Sequence, residues 1–400
     1  MKKNKINVGF VLNYSYHTWI GGYNYHLSLF KCLKKFNNKV NIIIFVNNNI
    51  SKYDQNLLKE YKIIKTDRFD HSSFAIRVDK ILSKFKILLK GKDNKLDQFF
   101  KKYKIDIVSH FTYLGKKSLI RSIPIIWDFQ ELYNKKNFRY SDIVLRKINS
   151  IMCNKHSDKV ILGSNHTFND YSKVLNKKIH NGVIINQAYF FNLKIKKKIP
   201  LLKKYNIANK SFFLLPNQYW RHKNHIVLLK ALKYLNDINK KNNFLVVSTG
   251  NTKNWRDAKY FKEILDFIKT NKINNYKILG IINHDDLVNL AYYCKGIVNP
   301  SISEGWSNSV ELANSLDKIN IISNIKCHKE QSNDKSFLFH PNNYKKLAYL
   351  LIKKYKYSVL NNKQLQKKID KNAFSFSEKY FQTVYEIIKA KNIINISENL

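Results

Sequence analysis

Residues Gly296 to Asn324 read GIVNPSISEGWSNSVELANSLDKINIISN. The apolar start fits a buried strand, the polar run through Ser307 a loop, the next stretch through Leu316 a helix, and INIIS a second strand. Strand, loop, helix and strand in that order make a crossover unit with two parallel strands. In such sheets ligands gather beyond the carboxyl ends of the strands, here at the loop ending in Glu304 and Gly305. Ser307, Asn308 and Ser309 open the helix, where unsatisfied backbone N–H groups and the positive dipole end favour a phosphate. Glu304, one turn ahead, is a carboxylate able to accept hydrogen bonds from sugar hydroxyls. The same residues also suit a serine-capped helix with a solvated glutamate.

The pattern extends in both directions. NVGFVLN, VNIIIFV, IDIVSH, PIIWDF and DKVILGS punctuate the first half, each followed by a polar turn and an amphipathic stretch. SFFLLPNQ, NFLVVSTG, NYKILG, GIVNPS and INIISN restart the alternation in the second half. This predicts an α/β protein of two Rossmann-like, doubly wound domains facing a central cleft. The basic, aperiodic AYFFNLKIKKKIPLLKK separates the halves, with the linker at 190–200. The domains are thus expected at 1–195 and 200–375, with 376–400 a terminal helix crossing back to the first.

With 400 residues, 44% hydrophobic and 14% aromatic, the chain has ample material for more than one core, which excludes disorder as its main state. Cys32, Cys153, Cys294 and Cys327 form no CxxC pair, so neither a zinc cluster nor a disulfide framework is expected, and the compartment is reducing and cytoplasmic. VGFVL is too short for a signal peptide or membrane span, and no other window approaches the roughly 20 apolar residues a span requires.

The formal net charge is +44, from 72 Lys+Arg against 28 Asp+Glu. Such a field attracts nucleic acid or an anionic membrane. Both halves are basic, however, and the lysines are dispersed, so compositional drift weighs equally and nucleic acid is a poor candidate partner. IRVDKILSKFKILLKGK, residues 76–92, is more pointed: Val78, Ile81, Leu82, Phe85, Leu88 and Leu89 share one helical face, with Arg77, Lys80, Lys84 and Lys90 largely away from it. That suits a helix lying peripherally on an anionic bilayer, or an ordinary surface helix packing on its own core.

No GxGxxG and no Walker loop follows any strand, against dinucleotide oxidoreductases and P-loop NTPases. No Asp-x-Asp occurs either, so a sugar transferase built on this chain is expected to need no metal and no cofactor beyond its nucleotide-sugar co-substrate.

PSISEGWSNSVELANSL, residues 300–316, resembles the carboxyl-terminal motif of GT-B glycosyltransferases of family 4, with Glu304, Gly305, Trp306 and Ala313 matching. Leu312 stands where that family has its second Glu; Glu311 precedes it by one residue, about 100° of helical rotation. FLLPNQYWRHKNHIVLLKAL, from Phe213, resembles the family's first carboxyl-domain strand and loop. Lys223 matches the diphosphate-binding Lys, Gln218 stands at the Arg position, and Arg221 lies two residues before the Lys. NYKILGIINHDDL and ISNIKCHKEQ agree in order and spacing. In the first half, Gly21 and Gly22 resemble the family's glycine loop, and PIIWDFQELY resembles an acceptor segment through Asp128 and Gln130, with Glu131 where relatives carry His.

The resemblance implies transfer of a sugar from a nucleotide diphosphate to a glycan or lipid-linked acceptor, with retention, in cell-surface polysaccharide or lipopolysaccharide synthesis. Glu304 would orient the donor sugar, while Arg221 and Lys223 clamp the leaving diphosphate. Gln218, Gly305, Trp306, Ser307, Asn308, Ser309 and Glu311 would line the donor site, and Gly21, Gly22, Asp128 and Gln130 the acceptor side. The rival expectation is a polyanion or nucleic-acid binder on a degenerate GT-B scaffold, motivated by the charge and by Gln218 and Leu312.

Overall fold

The computed structural model describes residues 5–70, 74–207, 211–238, 244–253, 257–355 and 360–397. They form two compact units. Unit 1 runs to Phe129, then comprises Phe138–Phe190 and the chain from Lys371 on; unit 2 comprises Gln130–Asn137 and Phe191–Asp370.

Unit 1 holds strands β1 (Ile6–Leu12), β2 (Val40–Val46), β3 (Lys62–Lys65), β4 (Ile107–Ser109) and β5 (Arg121–Ile123) in one sheet of order β3-β2-β1-β4-β5. A smaller sheet orders β6 (Ile125–Ile126), β7 (Val160–Leu162) and β8 (Gly182–Ile184). Every recorded pairing is parallel. Parallel strands need crossovers. These include helices α1 (Ile20–Phe36), α2 (Lys52–Leu58), α3 (Phe74–Lys90), α4 (Asn94–Lys102), α5 (Tyr140–His156) and α6 (Asn165–Leu175). Pro124 separates β5 from β6; it has no N–H to donate, but its carbonyl accepts from Ile161 N at 2.8 Å, so the ladder resumes at β7.

Unit 2 is one parallel sheet of β9 (Ser211–Pro216), β10 (Phe244–Thr249), β11 (Tyr276–Ile278), β12 (Gly296–Asn299), β13 (Ile319–Ser323) and β14 (Ser336–Phe339). Its helices are α7 (Lys198–Lys204), α8 (His225–Asp237), α9 (Ala258–Thr270), α10 (His284–Tyr293), α11 (Asn308–Ser315), α12 (Lys326–Gln331) and α13 (Tyr344–Ile352). The strand order β11-β10-β9-β12-β13-β14 is the doubly wound arrangement. The sequence reverses direction between β9 and β12, and there the loops after those two strands lie side by side. Near-continuous apolar strands such as FFLL and GIV are fully buried, as a sheet covered on both faces requires. One 36-residue helix, α14 (Asn362–Ser397), carries the chain from the end of unit 2 into unit 1, where Tyr380 stacks near Phe10 of β1.

All four cysteines are buried thiols, Cys32 and Cys153 in unit 1, Cys294 and Cys327 in unit 2. No helix among the described residues is long and apolar enough to cross a membrane.

Candidate active site

The loops after β9 and β12 are joined by hydrogen bonds that begin in the strands themselves. Asn217 Nδ2, just past β9, donates to Asn299 Oδ1 at the end of β12, 3.1 Å away. Ile302 N donates to His222 O at 2.8 Å. Asn224 takes the left-handed conformation (φ 56°), which asparagine tolerates, and its Nδ2 donates to Pro300 O and Pro341 O. Gly250, after β10, runs so close to the β9 loop that a Cβ there would lie 2.6 Å from Asn217 O. Only glycine fits there, at φ +128°.

This framework sets Lys223 Nζ 2.5 Å from Glu304 Oε1, with both side chains largely shielded from water. Ser301 Oγ donates to the same Oε1 at 2.7 Å. Burial is the largest single influence and works to raise the Glu304 carboxyl, but the Lys223 ammonium together with the neighbouring His222 and His328 outweighs it, so the carboxyl sits below its ordinary value and Glu304 is ionised at neutral pH. Both bonds fall on Oε1. The sequence brought Lys223 and Glu304 forward separately, and the structure joins them.

The buried His328 lies near this pair. Its Nδ1 contacts Ser323 O at 3.0 Å, so that nitrogen carries the proton, and burial lowers the ring to about 4. Its Nε2 is buried with no hydrogen-bond partner. Sequence reading passed over His328, although it lies within the ISNIKCHKEQ segment already aligned.

Arg221 is placed differently from the expected clamp. It shares the 3₁₀ turn Arg221–Lys223, yet its Nε donates to Asp257 at 2.6 Å, its terminal nitrogens to Glu263 at 2.9 and 3.0 Å, and its plane lies over Tyr260. Two carboxylates therefore hold Arg221 while Lys223 turns to Glu304. Gln218 and Trp306 are half-buried in the same two loops.

The opening of α11 is also more occupied than the sequence implied. Ser307 N donates to Gln331 Oε1, and the hydroxyls of Ser307 and Ser309 take hydrogen bonds from Asn299 Nδ2 at 2.7 and 2.8 Å. Those serines lock the loop to β12. Gly305 is buried, and Asn308 begins the helix. Glu311 is buried and accepts from Gln331 Nε2 at 2.9 Å; burial raises its carboxyl to about 7. Leu312, at the family's second Glu position, is 1% exposed and part of the core.

In unit 1, Gly21 and Gly22 do not form a loop. Both lie in the first turn of α1, where Gly22 faces the Trp19 ring at a distance no Cβ could share. Asp128 accepts from Arg146 at 2.7 Å on α5, and Gln130 begins a 3₁₀ turn.

Two histidines absent from the sequence-based candidates meet beside Phe10 of β1, one directly after β4 and one on α1. His110 follows β4 in a left-handed conformation (φ 62°), with Nε2 2.9 Å from Tyr25 Oη and Nδ1 2.7 Å from Ser109 Oγ. His26 Nδ1 contacts Gly22 O and Tyr14 Oη, each at 2.9 Å. Trp127 packs on Tyr25 and Trp19 beside them. Burial lowers His26 to about 4 and His110 well below the usual range, so both rings are neutral at pH 7. The signal for His110 was its place directly after the strand IDIVS; nothing local marked His26.

Residues 198–376 match the family described as glycosyl transferases group 1. No sequence among the curated proteins matches the chain. Three solved structures share the fold along nearly the whole length. Anabaena HepE in complex with UDP and glucose is 14% identical, over 98% of this chain and 99% of that one, with a TM-score of 0.64. Sucrose-phosphate synthase from Thermosynechococcus elongatus is 12% identical over 98% and 100%, with a TM-score of 0.67. The lipopolysaccharide outer core galactosyltransferase WaaB is 12% identical over 95% and 99%, with a TM-score of 0.56. Unit 2 thus carries the glycosyl transferases group 1 match, and the chain along nearly its whole length shares the two-domain GT-B fold of these glycosyltransferase structures.

Proposed function

We propose that the enzyme moves a sugar from a nucleotide diphosphate to a glycan or lipid-linked acceptor in cell-surface polysaccharide or lipopolysaccharide synthesis, with retention and without a metal. The observation that carries this reading is the Lys223–Glu304 pair at the point where the unit 2 sheet reverses direction. In that role Glu304 accepts hydrogen bonds from donor-sugar hydroxyls through Oε2 while Lys223 and Ser301 hold Oε1. As the glycosidic bond breaks, negative charge grows on the diphosphate, and the Lys223 ammonium is the cation placed to stabilise it. The UDP in the HepE complex and the lipopolysaccharide role of WaaB support a nucleoside diphosphate donor and a surface-glycan acceptor. A lipid-linked acceptor would bring the enzyme to the inner face of the cytoplasmic membrane.

Thermal-shift measurement against UDP, GDP, ADP, CDP and dTDP and their sugars tests the reading, since a ligand at 100 times its Kd adds about 2.7 kcal/mol of stability. One nucleotide is expected to raise the Tm selectively. Glu304→Gln is expected to retain binding of the free diphosphate, lose the extra shift given by the sugar, and lower transfer by about 100-fold or more. Absence of a shift with every nucleotide, or near-normal turnover in the variant, would refute the assignment.

A further inference from the structure

The apolar stripe of α3 faces away from the protein. Val78, Ile81, Leu82, Phe85, Leu88 and Leu89 are all exposed, Leu89 to 80%. At about 100° per residue they occupy one side of the helix. Ser83 and Ile87, on the opposite side, are the buried positions. An ordinary surface helix has the reverse arrangement.

α5 repeats the inversion. Tyr140, Val144, Leu145, Ile148 and Ile151 are exposed, whereas Ser150, Cys153 and His156 point inward. The two helices are neighbours on one small core: Ile87 and Cys153 belong to the same cluster with Tyr113 and Phe129, and the Lys84 ammonium lies close enough to act on the Cys153 thiol. Two outward apolar stripes on one core exceed the scattered single residues that need no explanation. Cations border both. Arg77 and Lys84 flank one edge of the α3 stripe and Lys86 and Lys90 the other, while Lys147 and Lys155 are exposed beside the α5 stripe.

We propose that α3 and α5 together are the surface on which the enzyme rests on an anionic bilayer. Leucine and phenylalanine side chains enter the acyl boundary, and the bordering lysines meet the lipid phosphates. Charge complementarity selects this occupant. A second copy of the chain would set this basic rim against itself, and a nucleic acid would leave the apolar stripes in water. The surface is argued independently of the donor site and accords with a lipid-linked acceptor.

Flotation of the full chain with phosphatidylcholine vesicles, with and without phosphatidylglycerol, tests it. Binding is expected only with phosphatidylglycerol and should weaken as salt rises. The exposed-site variants F85E/L89E and L145E/I148E are each expected to lower binding at least tenfold, roughly, with Tm unchanged. The control K230Q/K262Q makes the same change in net charge on exposed helix positions of unit 2 and should bind as the parent does. Equal loss in that control would reduce the effect to net charge and overturn the proposal. So would equal binding to both vesicles, or a dimer by light scattering that L145E/I148E dissociates while vesicles capture nothing. Because flotation is read without donor, its failure leaves the transferase assignment standing, and failure of the nucleotide screen leaves the bilayer surface standing.

Discussion

Lys223→Met is expected to destabilise the enzyme by about 3–5 kcal/mol, because it leaves the Glu304 carboxylate buried without its cation. Glu304 is 8% exposed, and its low carboxyl value depends on that ammonium against a burial effect of opposite sign. Without Lys223 the group must either stay charged in a dry site or take up a proton near neutral pH. Both cost stability. The double variant K223M/E304Q is expected to recover most of the loss, since a neutral pair needs no counter-charge, yet to remain inactive. Urea denaturation of the four proteins of this cycle measures the coupling. A loss under about 1 kcal/mol in Lys223→Met would show that the pair is solvated enough to be a surface ion pair. The pair would then lack the rigidity that the proposed chemistry demands.

Glu311→Gln is expected to act in the opposite direction. The buried carboxyl keeps its proton up to about pH 7, against an ordinary value of 4.5. A raised folded value means that its contribution to stability is fully present below pH 4.5 and is lost as pH climbs through 7. At pH 8 the wild type therefore carries a penalty on the order of 3 kcal/mol that the glutamine variant lacks. The Gln331 amide still finds an oxygen at position 311, so the buried bond survives the substitution. The variant should melt higher than wild type at pH 8 and equal to it at pH 4. A pH-independent difference would place the charged carboxylate in contact with something other than Gln331.

The fold was largely legible because its central strands are apolar runs that no helix period fits. All ten runs named from the sequence lie on strands. The four strands not anticipated are short or peripheral. KIIK of β3 carries lysines at both ends, as suits a sheet edge, and SFLF of β14 is the far edge of unit 2. RSI of β5 and GVI of β8 are three residues each, too few to show a period.

The site divides along a similar line. Lys223 and Glu304 could each be found from local motifs, but their contact spans 81 positions of sequence and depends on strand order. The ion pairs of Arg221 were not foreseen because Asp257 and Glu263, which hold it, lie 36 and 42 positions away. Gly21 and Gly22 read as a loop through their resemblance to the family's glycine loop, whereas here they lie in the first turn of α1, where Gly22 leaves room for the Trp19 ring. The α3 stripe was legible with a bilayer and inward packing both open to it, whereas that of α5 was not singled out: periodicity reveals that a helix has an apolar face, and only the fold reveals which way that face turns.

The four buried thiols have a practical consequence. A thiol reagent reaches such a sulfur only when the chain around it opens, and burial further suppresses the reactive thiolate by raising Cys153 to about 12 and Cys294 to about 11. The protein thus contains two natural clocks, with modification of Cys32 and Cys153 timing the openings of unit 1, and that of Cys294 and Cys327 those of unit 2. Peptide mass mapping of a single labelling time course would show whether a bound nucleotide slows one clock or both, with no probe introduced into the chain.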